Sequence, residues 1–258
     1  MDAEIIAVGS ELLTPFRQDT NSLYLTGKLN DLGIEVRFKN IVGDDAARLA
    51  EVFRCALGRS QLIILIGGLG PTEDDVNREV VAEVLGRPLH EEPEIRRRIE
   101  ARFARSGRAM SPNNLRQAMV PEGAEWLENG NGTAPGLWIE HEGAAIVLLP
   151  GPPREMEAMY DAACLSRLER LAPPTVIRTL VLKVIGLAES EVDQRVAPIY
   201  KAYANPETTI LATPGGIEVP LRARTESETK ANALLDELAG KIESPDRSQS
   251  ARLQSRIR

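Results

Sequence analysis

Two adjacent acids, Asp74 and Asp75, follow a glycine turn, Gly67-Gly-Leu-Gly70, which itself follows the apolar run Leu62-Ile-Ile-Leu-Ile66. Glycines let a backbone turn sharply and expose its N–H groups, which bind anions. A helical pattern comes next, and a helix start favours phosphates and acids alike. Two acids and a phosphate repel one another unless a cation lies between them. The stretch therefore points to metal-assisted phosphate chemistry. The plainer reading is a helix capped by Thr72, with Glu73, Asp74 and Asp75 complementing its dipole in the first turn. On this stretch alone the plainer reading is preferred.

Comparable acids stand after two other extended runs. Glu11 follows Glu4-Ile-Ile-Ala-Val8 and the turn Gly9-Ser10, and Asp45 follows the run over 34–42 and Gly43-Asp44. Between these runs lie helical patterns: one opened by Asp19-Thr-Asn21 and stopped by Gly33, one over 46–57 closed by Gly58, and one ending near Leu85-Gly86. The run over 62–66 reads as a strand buried on both faces. The order β-α-β-α-β-α predicts right-handed crossovers and a mostly parallel sheet with helices on both faces. Glu11, Asp45 and Asp75 each follow the carboxyl end of a strand, the edge where open α/β sheets bind ligands. Three acids from three loops can converge there.

Further along, a helix opens at Glu91-Glu-Pro-Glu94 with Ile95, Ile99 and Phe103 as its buried stripe. Arg96, Arg97, Arg98, Arg102, Arg105 and Arg108 cover the rest, mainly as a solvated face, with phosphate binding the lesser alternative. His90 and His141 stand alone, and neither is chosen as a base. Asn113, Asn114 and Gln117 lie in a short helical segment after Ser111-Pro112. The loop Asn129-Gly-Asn-Gly-Thr-Ala-Pro-Gly136 is too rich in glycine for regular structure. It is either a hairpin connector or an amide-lined wall around a ligand. A last core strand over 144–149 turns through Pro150-Gly-Pro-Pro-Arg154 into a helix ending near Leu171. Arg154 can hold an anion or pair with nearby acids.

The best domain boundary is Ala172-Pro-Pro-Thr175. Residues 1–172 are expected to form the larger α/β domain and 175–243 a small α+β domain: a strand over 176–185, a helix over 189–200, strands over 209–212 and 217–224, and a helix over 226–242. Residues 244–258, poor in apolar side chains and rich in arginine, are expected to be a disordered tail. The 258 residues carry a net charge of −7 with pI about 5.2, which argues against a general nucleic-acid surface. Cys55 and Cys164 read as reduced core residues of a cytosolic protein. No Cys/His cluster has zinc spacing, and no apolar run is long enough to span a membrane. The first strand starts within a few residues, so no signal peptide is expected.

Four ordered motifs carry a family resemblance. They are Gly9-Ser-Glu-Leu-Leu13 with Asp19-Thr-Asn21, Gly67-Gly-Leu-Gly-Pro-Thr-Glu-Asp-Asp75, Asn129 with Gly132-Thr-Ala-Pro-Gly136, and Leu149-Pro-Gly-Pro-Pro-Arg-Glu-Met156. Together they resemble the competence/damage-inducible CinA family over nearly the whole chain before the tail. The first domain is similar to the three-layer molybdopterin-binding (MogA/MoaB-like) fold, and the second to the KH-like domain that follows it. The resemblance implies a homodimeric, divalent-metal-dependent pyrophosphatase (magnesium, manganese or cobalt, with potassium as a further ion) that cleaves ADP-ribose to AMP and ribose 5-phosphate; a cytoplasmic location is expected from the cysteines. No nucleic-acid or membrane partner is expected, on the charge and the absence of a long apolar run.

By motif match, Asp75 takes the place of an acid that helps hold a metal ion in the molybdopterin-binding relatives, and Asp74 is its neighbour in the pattern. On this reading Asp74 and Asp75 hold the metal, which neutralises charge and lowers the pKa of bound water. Glu11 or Asp45 orients or deprotonates the attacking water. Backbone amides of Gly68, Gly70 and Gly151 cradle phosphate oxygens, with Gly67 and Pro150 beside them as further substrate-binding residues. Ser10, Asp19, Asn21, Thr72, Asn129, Gly132 and Arg154 complete the expected substrate contacts.

Three departures from the family pattern bear on this. Asn77 stands where threonine is usual, Pro15 replaces a usual glycine, and the chain ends before a nicotinamide-nucleotide deamidase domain, so deamidase activity is not expected. The Gly-x-x-Gly loop of RNA-binding KH domains is missing at Gly186-Leu-Ala-Glu189. Two rival readings are a non-catalytic nucleotide-binding or interaction module and a molybdopterin-binding protein of cofactor assembly.

Overall fold

The structure, a computed structural model, describes residues 1–107, 109–243 and, for their backbone, 252–257. It contains two compact units, Met1–Leu29 with Glu35–Leu171, and Asn30–Ile34 with the chain from Ala172 onward.

The first unit opens with β1 (Asp2–Val8), α1 (Asn21–Asp31), β2 (Glu35–Val42), α2 (Ala46–Leu57), β3 (Leu62–Ile66) and α3 (Asn77–Val84). It continues through β4 (Leu89–Glu91), α4 (Pro93–Ser106), a 3-10 segment (Pro112–Ala118), β5 (Met119–Pro121), β6 (Glu125–Leu127), β7 (Gly136–His141) and β8 (Ala144–Leu149). It closes with α5 (Pro153–Met159), a π turn (Tyr160–Cys164) and α6 (Leu165–Leu171).

The main sheet has the order β2-β1-β3-β8-β7-β6; β2, β1, β3 and β8 run parallel, and β7 and β6 antiparallel. All five residues of β3 are buried, as a central parallel strand requires. Each such apolar side chain contributes roughly 1.5–3 kcal/mol on burial, so β3 is a firm base for the loop that leaves it.

Alternate residues serve opposite faces. Ile6, Ile63, Leu65 and Ile146 join a core with Leu49 and Phe53 of α2, Val80 and Val81 of α3, and Ile95 and Ile99 of α4. Ile5, Ile64 and Val147 are buried as well and point to the other face, since side chains alternate along a strand. Leu25 of α1 and Met156 and Leu168 of the last helices are buried too, and Tyr24 meets Tyr160 edge to face at 6.3 Å. Cys164 is buried as expected, but Cys55 is exposed: it lies on α2 away from the stripe that Leu49, Phe53 and Ala56 bury.

The second unit holds β9 (Val176–Ile185), α7 (Glu189–Tyr200), β10 (Glu207–Thr208), β11 (Leu211–Thr213), β12 (Gly216–Thr225) and α8 (Glu228–Glu243). Ile217, Val219, Leu221 and Ala223 alternate into a core with Leu182 of β9 and Leu235 and Leu238 of α8. Arg252–Ile257 forms a further strand, β13, antiparallel to β9. Over these six residues the expected disordered tail is corrected: the open edge of β9 offers unpaired backbone groups to an extended segment. Residues 244–251 and 258, the rest of that expected tail, lie outside the described residues.

Among the described residues no helix is long and apolar enough to cross a membrane.

Candidate functional site

The carboxyl ends of β1, β2, β3 and β8 share one rim, where a cleft of about 450 Å3 opens. Each parallel strand delivers its loop there. The first brings Gly9 and Glu11, the second Asp44, the third residues 67–71 with Asp74 and Asp75, and β8 brings Pro150, Gly151 and Glu155. Thr133 and Ala134, just before β7, and Gln117 complete the wall. Of the expected site residues, Glu11, Asp74, Asp75, Gly67, Gly68, Gly70, Pro150 and Gly151 therefore lie together.

The glycine turn explains the path of the chain. Gly67 and Gly68 both have positive φ, 96° and 55°. A Cβ on Gly67 would collide with the Val8 carbonyl, and one on Gly68 would lie 2.9 Å from the Asn77 side chain. Asn77 is fully buried; its Nδ2 donates to the Gly67 carbonyl at 2.7 Å and its backbone N–H to that of Gly68 at 3.2 Å. These bonds pin residue 77 to the turn and interrupt the helix before it.

The expectation that Thr72 caps α3 is thereby corrected. The helix starts at Asn77, and residues 72–75 form a separate turn in which the Asp75 carboxylate accepts from the Thr72 N–H at 2.8 Å and from its hydroxyl at 2.6 Å. Thr72 is consumed by this turn and does not line the cleft. Asp74 is exposed at the mouth, with no hydrogen bond from its carboxylate to a described residue.

Asp45 does not reach the cleft. Its carboxylate caps α2, accepting from the Arg48 N–H at 3.0 Å, and lies 3.8 Å from the Arg48 guanidinium. Its neighbour Asp44 faces the cleft instead. Asp44 accepts from the Ser10 N–H at 2.8 Å and donates its own N–H to the Ser10 hydroxyl at 3.0 Å, which ties the first two rim loops together. Ser10 thus supports the rim from behind.

Several other expected contacts are supports as well. Asp19 accepts from the Ser22 N–H at 2.9 Å at the start of α1. Asn21 donates to the Gly151 carbonyl at 2.7 Å and fixes the floor. Asn129 donates to Glu155 and to the Ala134 carbonyl and accepts from the Gly132 N–H, so it shapes the loop between β6 and β7. Asn129 and Gly132 line a neighbouring cavity of about 310 Å3 beside Arg98, Arg102 and Arg105. Arg154 is exposed outside the cleft, because the first turn of α5 turns Glu155, not Arg154, towards the rim.

The arginines of α4 are mostly engaged: Arg96 with Glu91 and Glu100, Arg97 with Glu94, Arg98 with Glu94 and Glu128. Arg102 donates to the carbonyls of Gly130 and Asn131. Arg108 lies outside the described residues.

Four residues around the site are not among the expected site residues: Asp44, Glu155, Gln117 and Arg78. Arg78 is fully buried and donates to the carbonyls of Leu69 and Arg116 at 3.0 and 3.1 Å. Burial pushes its pKa down from the usual guanidinium value, opposed by the charges of Glu79 and Asp75. Arg116 in turn donates to the Thr72 carbonyl at 2.7 Å and to Glu79 at 3.1 Å. The two arginines clamp the loop after β3 to the segment that carries Gln117. One signal was available: Arg78 stands three and four residues before Val81 and Ala82, inside the buried stripe of α3.

The donor set suits a hard divalent cation, which prefers carboxylate oxygens. Among the described residues no three His, Cys, Asp or Glu side chains converge closely enough to cage an ion alone. Magnesium is commonly held by one or two carboxylates with ligand phosphates completing its shell, and Asp74 with Asp75 or Glu11 offers that number.

Residues 4–170 match the family described as "Probable molybdopterin binding domain", and residues 179–245 match "Damage-inducible protein CinA KH domain". The chain is 56% identical over 243 residues to a CinA-like protein of Solibacter usitatus, covering 94% of this chain and 58% of that protein. It is 51% identical over 247 residues to a CinA-like protein of Koribacter versatilis, covering 94% and 60%. The chain thus spans less than two thirds of the length of these curated relatives. Among solved structures it is similar to CinA from Thermoplasma acidophilum, with 34% identity and a TM-score of 0.59 over 63% of this chain and 96% of that one.

Proposed function

The chain belongs to the CinA family, and on that premise we propose that its rim cleft hydrolyses the diphosphate of ADP-ribose to AMP and ribose 5-phosphate. One observation carries the reading: the carboxylates of Glu11, Asp44, Asp74 and Asp75 surround a floor of backbone turns at Gly67, Gly68 and Gly151. An acidic cleft of this kind repels a diphosphate unless positive charge enters with it, and a bound divalent cation supplies that charge. Asp74 and Asp75 are the residues that would hold it. Backbone amides of Gly68, Gly70 and Gly151 bind phosphate oxygens; the Gly67 amide is not among them, because its N–H donates to the Leu149 carbonyl at 2.9 Å. Glu11, whose carboxylate folds back over Gly9, orients a water and takes its proton as the water oxygen bonds to phosphorus. The bond from that phosphorus to the bridging oxygen breaks, and the second phosphate leaves.

The test is release of AMP from ADP-ribose with added magnesium, manganese or cobalt, with and without a chelator. Activity that needs the metal and falls in Asp74→Asn supports the proposal; absence of AMP under every metal ends it. The match to the molybdopterin-binding family supports a second reading, a pterin-binding role, which pterin binding by a protein inert towards ADP-ribose would favour.

A further inference from the structure

Gln117 lines the cleft, yet only 1% of it is exposed. Its amide oxygen is buried without a hydrogen-bond partner, and no bond ties the side chain to another described residue. Buried polar groups in native proteins are nearly always bonded, so each exception asks for an explanation. The other buried side-chain atoms without partners, among them those of Asn21, Asn77 and Arg78, belong to residues that do not line the cleft. Gln117 is the exception that faces a ligand space.

Its position is also fixed. Arg78 holds the carbonyl of the preceding residue, Arg116, together with that of Leu69. The side chain of Arg116 grips the Thr72 carbonyl. Leu69, Pro71 and Ala134 line the same cleft and give it apolar surface suited to a flat ring.

A primary amide presents an acceptor and a donor side by side. The N6/N7 edge of adenine presents the complement, an exocyclic amine beside an acceptor ring nitrogen, and glutamine pairs with it through two hydrogen bonds. Hypoxanthine carries a carbonyl in place of the amine. Beside N7 that leaves two acceptors side by side, so whichever way the amide is turned one acceptor faces another.

We propose that Gln117 sets the base specificity of the cleft, accepting a purine with an amine beside N7 and rejecting one with a carbonyl there. This rests on reading the cleft as a nucleotide site, and it holds whether or not a diphosphate is cleaved.

The experiment is calorimetric titration of the full chain with AMP and with IMP in the presence of magnesium. The wild-type protein is expected to bind AMP about ten- to a hundredfold more tightly than IMP. Gln117→Met and Gln117→Leu are expected to bring the two affinities together, chiefly by weakening AMP. Equal affinities in the wild-type protein overturn the proposal without reference to any variant, as does failure of both nucleotides to bind. A preference that survives intact in both variants also overturns it. An AMP preference lost in the variants of a protein that does not cleave ADP-ribose sustains this inference while removing the hydrolase reading.

Discussion

The loops after β2 and β3 both contain a pair of adjacent aspartates, and they use the pairs differently. After β2 the first aspartate, Asp44, lines the cleft and the second, Asp45, caps α2. After β3 both Asp74 and Asp75 line the cleft, because a glycine turn and the pinned Asn77 postpone the helix. Asp75 then closes a small turn on Thr72 and leaves Asp74 open. An acid beside a helix start is a cap when the helix begins at once and a ligand-facing group when the start is delayed. Identical residue pairs thus acquire different work from one or two backbone hydrogen bonds.

Substitutions can break this comparison. Asp75→Ala is expected to have the largest combined effect. It removes both bonds to Thr72, costing about 1.5–3 kcal/mol of stability, and activity falls with the loop; denaturant melts and AMP release read the two. Asp74→Asn is expected to lower activity by at least about a hundredfold, the loss of a few kcal/mol of charge stabilisation, and to leave the melt unchanged. A matching fall in stability would show that Asp74 is structural. Arg78→Met orphans the carbonyls of Leu69 and Arg116 and is expected to cost roughly 1–3 kcal/mol while weakening nucleotide binding. Asp45→Ala is expected to be mildest: about 1 kcal/mol of stability from the lost cap, with AMP release unchanged.

Much of the fold was legible in the sequence. The continuous apolar run over 62–66 identified a central parallel strand, and the spacing over 46–57 gave α2 with its Gly58 stop. Strand ends located the rim because a parallel sheet must deliver its loops to one edge. The choice between Asp44 and Asp45 was not legible. Periodicity reports which face of an element is buried, not which of two neighbours closes a cap. Thr72 was read as a helix cap because the bonds from Asn77 to the glycine turn connect residues nine and ten apart. Arg78 was missed because arginine is rarely buried, and Gln117, read only as part of a short helical segment, becomes a cleft wall through the clamp on its neighbour.

The central claim, that a rim of carboxylates and glycine turns handles a nucleotide diphosphate, is tested most directly by AMP release from ADP-ribose with manganese. Wild type, Asp45→Ala and Asp74→Asn are compared side by side. The account predicts equal, chelator-sensitive activity in the first two and near-complete loss in the third. No AMP from the wild-type protein, or equal rates from all three, would contradict it.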